Sequence, residues 1–92
     1  MYLSWIIPAY NEEKRIGKTL REVDTYLRSK NFNGGYEIIV VDSSSKDRTG
    51  EIVKNLQSQI SNLQLLVVEN KGKGWAVNRG MLKAQGEVRL FA

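Results

Sequence analysis

Ile38-Ile39-Val40-Val41 is the segment that most narrows what this chain can become. Four consecutive β-branched residues favour extended backbone, and no polar residue interrupts them on either side of the pleat. Such a strand must be covered on both faces, which points to a sheet with helices above and below it. The flanking sequence supplies those helices. Ile16, Leu20, Val23 and Leu27 recur as one apolar stripe, predicting a helix over about 11–29. Asn11 is its plausible N-cap, with Glu12 and Glu13 in the first turn, where negative charge suits the helix dipole.

The same alternation continues in both directions. Leu3 to Ile7 reads as a strand stopped by Pro8, and Asn33-Gly34-Gly35 breaks the chain before the strand Tyr36–Val41. Ile52, Val53, Leu56 and Ile60 mark a helix over about 48–61, and Leu63 to Val68 a third strand. A third helix is expected from about Trp75 to Gln85, with Gly86 as its glycine cap, and Glu87 to Phe91 as a fourth strand. The order β-α-β-α-β-α-β, with short loops, predicts parallel strands and right-handed crossovers, an α/β fold in three layers. At 92 residues, 1–92 is read as a single small domain with a thin core.

Composition removes several kinds of chemistry. The chain has no Cys and no His, so thiolate or imidazole metal sites, disulfides and Ser-His-Asp catalysis are excluded. No apolar run approaches the roughly 20 residues that span a bilayer. Met1-Tyr2-Leu3-Ser4 lacks the basic start and long apolar stretch of a signal peptide, and the cytosol is the expected location. The net charge of +4 suits an anionic small ligand. No basic run suggests a nucleic-acid partner.

In an open α/β sheet, ligands bind beyond the carboxyl ends of the strands. Three loops follow such ends. In the first, Pro8 closes the strand, Tyr10 offers a ring for a base or sugar, and Glu12 can accept hydrogen bonds. The alternative is a plain helix start with an exposed tyrosine. In the second, Asp42 can receive a ribose hydroxyl or a base N–H, or simply form a turn. Asp47 there is better read as a helix cap. In the third, Asn70-Lys71-Gly72-Lys73-Gly74 can bring backbone N–H groups and charge to an anion, with Arg79 pointing back towards it or lying on the surface. Neither a Walker loop nor G-x-G-x-x-G is present.

Together, Pro8-Ala9-Tyr10-Asn11-Glu12-Glu13, Val40-Val41-Asp42 with Ser45 and Asp47, and Asn70-Lys71-Gly72-Lys73-Gly74 with Ala76, Asn78, Arg79 and Gly80 resemble the inverting family-two glycosyltransferases of the GT-A fold. The dolichyl-phosphate glucosyltransferase and mannosyltransferase type is the nearest in pattern. The resemblance covers essentially the whole chain and implies a Rossmann-like open sheet of strand order 3-2-1-4, the nucleotide-binding half of such an enzyme. It implies that Pro8, Tyr10 and Glu12 border a base and ribose, that Asp42 contacts one of them, and that Lys71, Lys73 and Arg79 lie near the base or diphosphate. UDP or GDP is the implied partner, bound weakly, and Mg²⁺ or Mn²⁺ the cofactor of the family.

The chain departs from that pattern in specific places. The family's metal-binding Asp-x-Asp follows the fourth strand, and no Asp-x-Asp occurs in these 92 residues. The usual Asp-Asp-Gly-Ser reads Asp42-Ser43-Ser44-Ser45, and Trp5 and Trp75 stand where smaller residues are usual. No catalytic base and no metal ligand is therefore assigned, and sugar transfer by these residues alone is not expected. Ser43, Ser44, Trp5 and Trp75 favour a second expectation, an engineered folding or self-assembling scaffold without a ligand, and self-association is expected through the open edge Glu87 to Phe91 or through Trp5 and Trp75 where exposed.

Overall fold

The structure is a computed structural model that describes residues 2–30, 32 and 35–91. Its elements are β1 (Leu3–Ala9), α1 (Ile16–Ser29), β2 (Tyr36–Asp42), α2 (Thr49–Leu56), β3 (Leu63–Val67), α3 (Lys73–Lys83) and β4 (Val88–Phe91). All the ladders are parallel and the strand order is β3-β2-β1-β4, as expected. The chain break expected at Asn33-Gly34 lies outside the described residues.

The two faces of the sheet carry different cores. On one face Leu3, Ile7, Ile38 and Val40 pack against Leu20 and Leu27 of α1 and Val53 and Leu56 of α2. On the other, Ile6, Ile39 and Val41 meet Ala76 of α3 and Ala84 just beyond it. The second face is thinner because α3 lies almost on the sheet. A Cβ at Gly80 would stand 2.6 Å from Ile6 Cγ2 and 2.9 Å from Val41 Cγ2. Only glycine permits that approach.

Several expected boundaries move, each for a local reason. Pro8 does not stop β1 but lies within it, paired with Val41. The Ser43 N–H donates to the Ala9 carbonyl at 2.9 Å, so Ala9 faces β2 and Pro8 faces the opposite side. There the β4 ladder ends at Ile6↔Phe91, so the missing proline N–H breaks no described ladder bond. Asn11 is not the N-cap of α1. It has φ 51°, and α1 begins at Ile16, with no acidic residue in its first turn. α2 ends at Leu56 rather than near 61, although Ile60 still reaches the core through the following turn. β3 ends at Val67, α3 runs over Lys73–Lys83 rather than Trp75–Gln85, and β4 starts at Val88.

Gly86 is not a helix cap. Its N–H donates to Ser4 Oγ at 2.8 Å, in a buried polar cluster at the amino ends of the strands. The Ser4 hydroxyl and the Gln85 N–H donate to Glu37 Oε2 at 2.5 and 2.8 Å, and the Gln64 amide donates to Glu37 Oε1 at 2.5 Å. Glu37 is 1% exposed, and both its carboxyl oxygens are bonded to neutral polar groups. The cluster ties β1, β2, β3 and the α3–β4 corner together. At the same end the Tyr36 hydroxyl donates to Asp24 Oδ1 at 2.9 Å. Desolvation, and that bond to a carboxylate, push the Tyr36 phenol up to about 12.

All of β4 is exposed, with Leu90 and Phe91 contributing large apolar side chains. Among the described residues it pairs only with β1. Trp5 is half-buried against the α1 face, with its ring edge-on to Tyr26. No described helix is long and apolar enough to cross a membrane.

Candidate functional site

The carboxyl ends of β1 and β2 open into loops that are stitched to each other. Left-handed Asn11 turns the first loop so that three successive backbone N–H groups face the second. Asn11 N–H donates to Ser45 Oγ at 2.8 Å, Glu12 N–H to Thr49 Oγ1 at 2.8 Å, and Glu13 N–H to Asp47 Oδ2 at 3.2 Å. The Lys46 N–H returns a bond to Asn11 Oδ1 at 2.9 Å. The second loop is tied to the third strand in turn: left-handed Ser44 donates its hydroxyl to the Val68 carbonyl at 2.6 Å. Side chains of the second loop thus satisfy backbone donors that a helix N-terminus would otherwise leave to water.

Beside this seam lies an open cleft of about 440 Å³. Pro8, Tyr10, Glu12 and Lys73, four of the expected residues, line it, together with Ser43 and with Asn70 and Gly72 of the third loop expected to cradle an anion. No ligand contact is expected for Ser43, whose signal in the sequence is its position just past the end of β2. Tyr10 is exposed, with its ring free to take a planar partner. The Glu12 carboxylate pairs with Arg15 at 2.6 Å. Gly72 caps α3 with φ 95°, a conformation natural only to glycine, and Lys73 is the first residue of that helix. Backbone donors, the positive end of the helix and an ammonium group therefore meet at one wall.

The other three candidates sit elsewhere. Asp42 is buried beneath the second loop, accepts the Ser45 N–H at 3.1 Å and the Ser45 hydroxyl, and borders a separate cavity with Asp47 and Lys54. Lys71 lies 3.7 Å from Glu69 and 4.7 Å from the centre of the Trp75 ring. Arg79 lies 5.3 Å from the same ring, and neither cation lines the cleft. Asp47, expected as a cap, stands one residue before the N-cap Arg48 of α2, and accepts the Thr49 N–H at 2.9 Å, the Thr49 hydroxyl and the Glu13 N–H. Desolvation pushes its carboxyl up, and these bonds, led by the Thr49 hydroxyl, outweigh it and hold it below the usual aspartate value.

The divalent ion implied by the resemblance finds no donor set here. Among the described residues no three carboxylates converge. The Asp42 and Asp47 carboxylates are engaged by hydroxyl and amide donors. The residues present do not fit the metal, and no step is routed through it.

A parallel sheet in this order, with a cleft against a glycine-led helix N-terminus, defines an α/β ligand-binding unit of the nucleotide-binding kind. The chain belongs to glycosyl transferase family 2, whose family model matches residues 4–92. It is 46% identical over 95 residues to a dolichyl-phosphate beta-glucosyltransferase of Trichomonas vaginalis, covering 99% of this chain and 29% of that protein. The human dolichyl-phosphate beta-glucosyltransferase is 38% identical over 96 residues, with 98% and 30% covered. Among solved structures, S. aureus TarS 1–349 in complex with UDP-GlcNAc superposes with a TM-score of 0.84 at 33% identity, covering 100% of this chain and 26% of that one. The mannosyltransferase PcManGT from Pyrobaculum calidifontis, in complex with GDP-Man and Mn²⁺, gives 0.75 at 33% identity, with 95% and 25% covered. The chain thus spans less than a third of the length of these relatives. Two of these are glucosyltransferases and one a mannosyltransferase by name, and the comparisons lend no support to an engineered scaffold.

Proposed function

We propose that the cleft binds the nucleoside diphosphate part of a nucleotide-sugar, of uridine or guanosine type. The observation that carries this reading is the convergence of an aromatic ring, a carboxylate and a cationic helix start on one open cleft at the carboxyl ends of the strands. Tyr10 and Pro8 would take the base or ribose, and Glu12 a hydroxyl or N–H donor. Lys73 and the N–H groups after Gly72 would take the phosphate charge. The solved relatives that hold UDP-GlcNAc and GDP-Man support the ligand class. Lys71 and Arg79 would join only by leaving Trp75. The proposal is one of binding: Glu12, the carboxylate lining the cleft, is paired with Arg15 rather than placed as a base.

The test is a two-dimensional NMR titration of labelled protein with UDP and GDP. Saturable shifts confined to residues 8–13, 43 and 70–73 are expected. Tyr10→Ala and Lys73→Ala should each weaken binding by roughly fivefold, about 1 kcal/mol, whereas Lys54→Ala on α2 should leave it unchanged. A dispersed spectrum without saturable shifts for either nucleotide would overturn the assignment.

A further inference from the structure

Thr49 is fully buried, yet its hydroxyl serves two partners in different loops. It donates to Asp47 Oδ1 at 2.5 Å and accepts the Glu12 N–H at 2.8 Å. A hydroxyl has one proton and an ionised carboxylate only accepts. Asp47 therefore fixes the direction of the hydroxyl: the proton goes to Asp47, and a lone pair is left for Glu12. A second relay runs beside it. The Ser45 hydroxyl donates to Asp42 Oδ1 and accepts the Asn11 N–H at 2.8 Å. Asp47 Oδ2 takes the next donor, the Glu13 N–H, directly. Three successive amides of the first loop thus hang on two carboxylates of the second, and neither carboxylate lines the cleft.

We infer that Asp47, acting through the buried Thr49 hydroxyl, is a positioning residue that sets the backbone of Asn11–Glu13 and so holds Tyr10 and Glu12 on the cleft wall. Asp42 does the same one residue earlier through Ser45. Its effect on the cleft rests on the nucleotide reading above, but the loop coupling itself does not. Removing the hydroxyl leaves the Glu12 N–H buried against a methyl group, with no partner of the right geometry. Valine keeps the shape of threonine, so the core of α2 is preserved while the relay is cut.

The experiment compares wild type with Thr49→Val, Thr49→Ser and Asp47→Ala, in two arms. Without ligand, amide hydrogen exchange is read residue by residue. Thr49→Val should speed exchange at Glu12, and Asp47→Ala at both Glu12 and Glu13, by at least about tenfold, with Ile39 and Val41 unchanged. Thr49→Ser, which keeps the hydroxyl, should match wild type. With UDP and GDP, Thr49→Val should weaken binding by about tenfold and Thr49→Ser should not. A general loss of stability would instead raise exchange at Ile39 and Val41 to the same degree, which would overturn the positioning role. Unchanged exchange at Glu12 in Thr49→Val would overturn the relay. Faster exchange with unchanged nucleotide affinity would overturn its link to the cleft. If wild type bound neither nucleotide, the functional reading would fall and the exchange arm alone would decide the relay. Should Asp47→Ala not fold, Thr49→Val carries both arms.

Discussion

The two ends of the sheet use the same bonding device to different ends. At the amino ends of the strands, buried Glu37 gathers the Ser4 hydroxyl, the Gln64 amide and the Gln85 N–H, and both its oxygens are engaged inside the fold. At the carboxyl ends, Asp42 and Asp47 gather hydroxyls that in turn hold backbone amides, and an open cleft is left beside the stitched loops. A carboxylate that ties strands together makes stability. One that ties loops together makes a shape. The same residue type is legible in the sequence at both ends, and only its surroundings separate the two roles.

The largest test of this contrast is Glu37→Ala. It strips a buried charge-assisted cluster and leaves the Ser4, Gln64 and Gln85 donors unmet, at a cost on the order of 3 kcal/mol in urea unfolding. A cost below about 0.5 kcal/mol would mean that water replaces the carboxylate and that the amino end is not a clamp. Gly80→Ala comes next, at about 1–3 kcal/mol, because its methyl would collide with Ile6 and Val41 and lift α3 from the sheet. An unchanged midpoint would show that α3 can move away without penalty.

Tyr36→Phe should cost about 1 kcal/mol at neutral pH through the lost bond to Asp24. Its pH dependence has a definite sign. The folded phenol titrates at about 12, above the ordinary tyrosine value, so its contribution is complete below the ordinary value and disappears as pH rises from there through about 12. In an ultraviolet titration one of the four tyrosines should ionise late, and Tyr36→Phe should remove that phase. Four tyrosines titrating together would contradict it. The smallest stability effect belongs to the cleft. Lys73→Ala should change stability by less than about 0.5 kcal/mol while weakening nucleotide binding, which separates the two ends in one measurement.

Much of this architecture is written in local pattern. The β-branched run of β2 and the stripe Ile16, Leu20, Val23, Leu27 are periodic, and periodicity survives into the fold because each element buries its own apolar side. The ends of elements are less legible. Asn11 looks like a cap by composition, but the second loop offers its N–H groups better partners than the helix would. Gly86 looks like a helix terminator, but it is spent on the close contact with Ser4. Pro8 looks like a stop, but it faces the β4 side of β1 beyond the last described pair, Ile6↔Phe91. In each case a partner distant in sequence decides, and no local window contains it.

The site divides the same way. Pro8, Tyr10, Glu12 and Lys73 converge as the loop order suggests, because strand ends in a parallel sheet bring successive loops to one edge. Lys71 and Arg79 look equivalent to Lys73 in sequence, but the indole of Trp75 draws both to it. By itself the sequence determined the α/β alternation, the buried central strand and the edge at which a cleft would form, since these follow from hydrophobic period and connection length. The tertiary structure alone decided which charged groups reach the cleft and which are spent holding loops or strands. Hydrogen bonds and ring contacts are short-ranged, and they form between residues that only folding brings within a few ångströms.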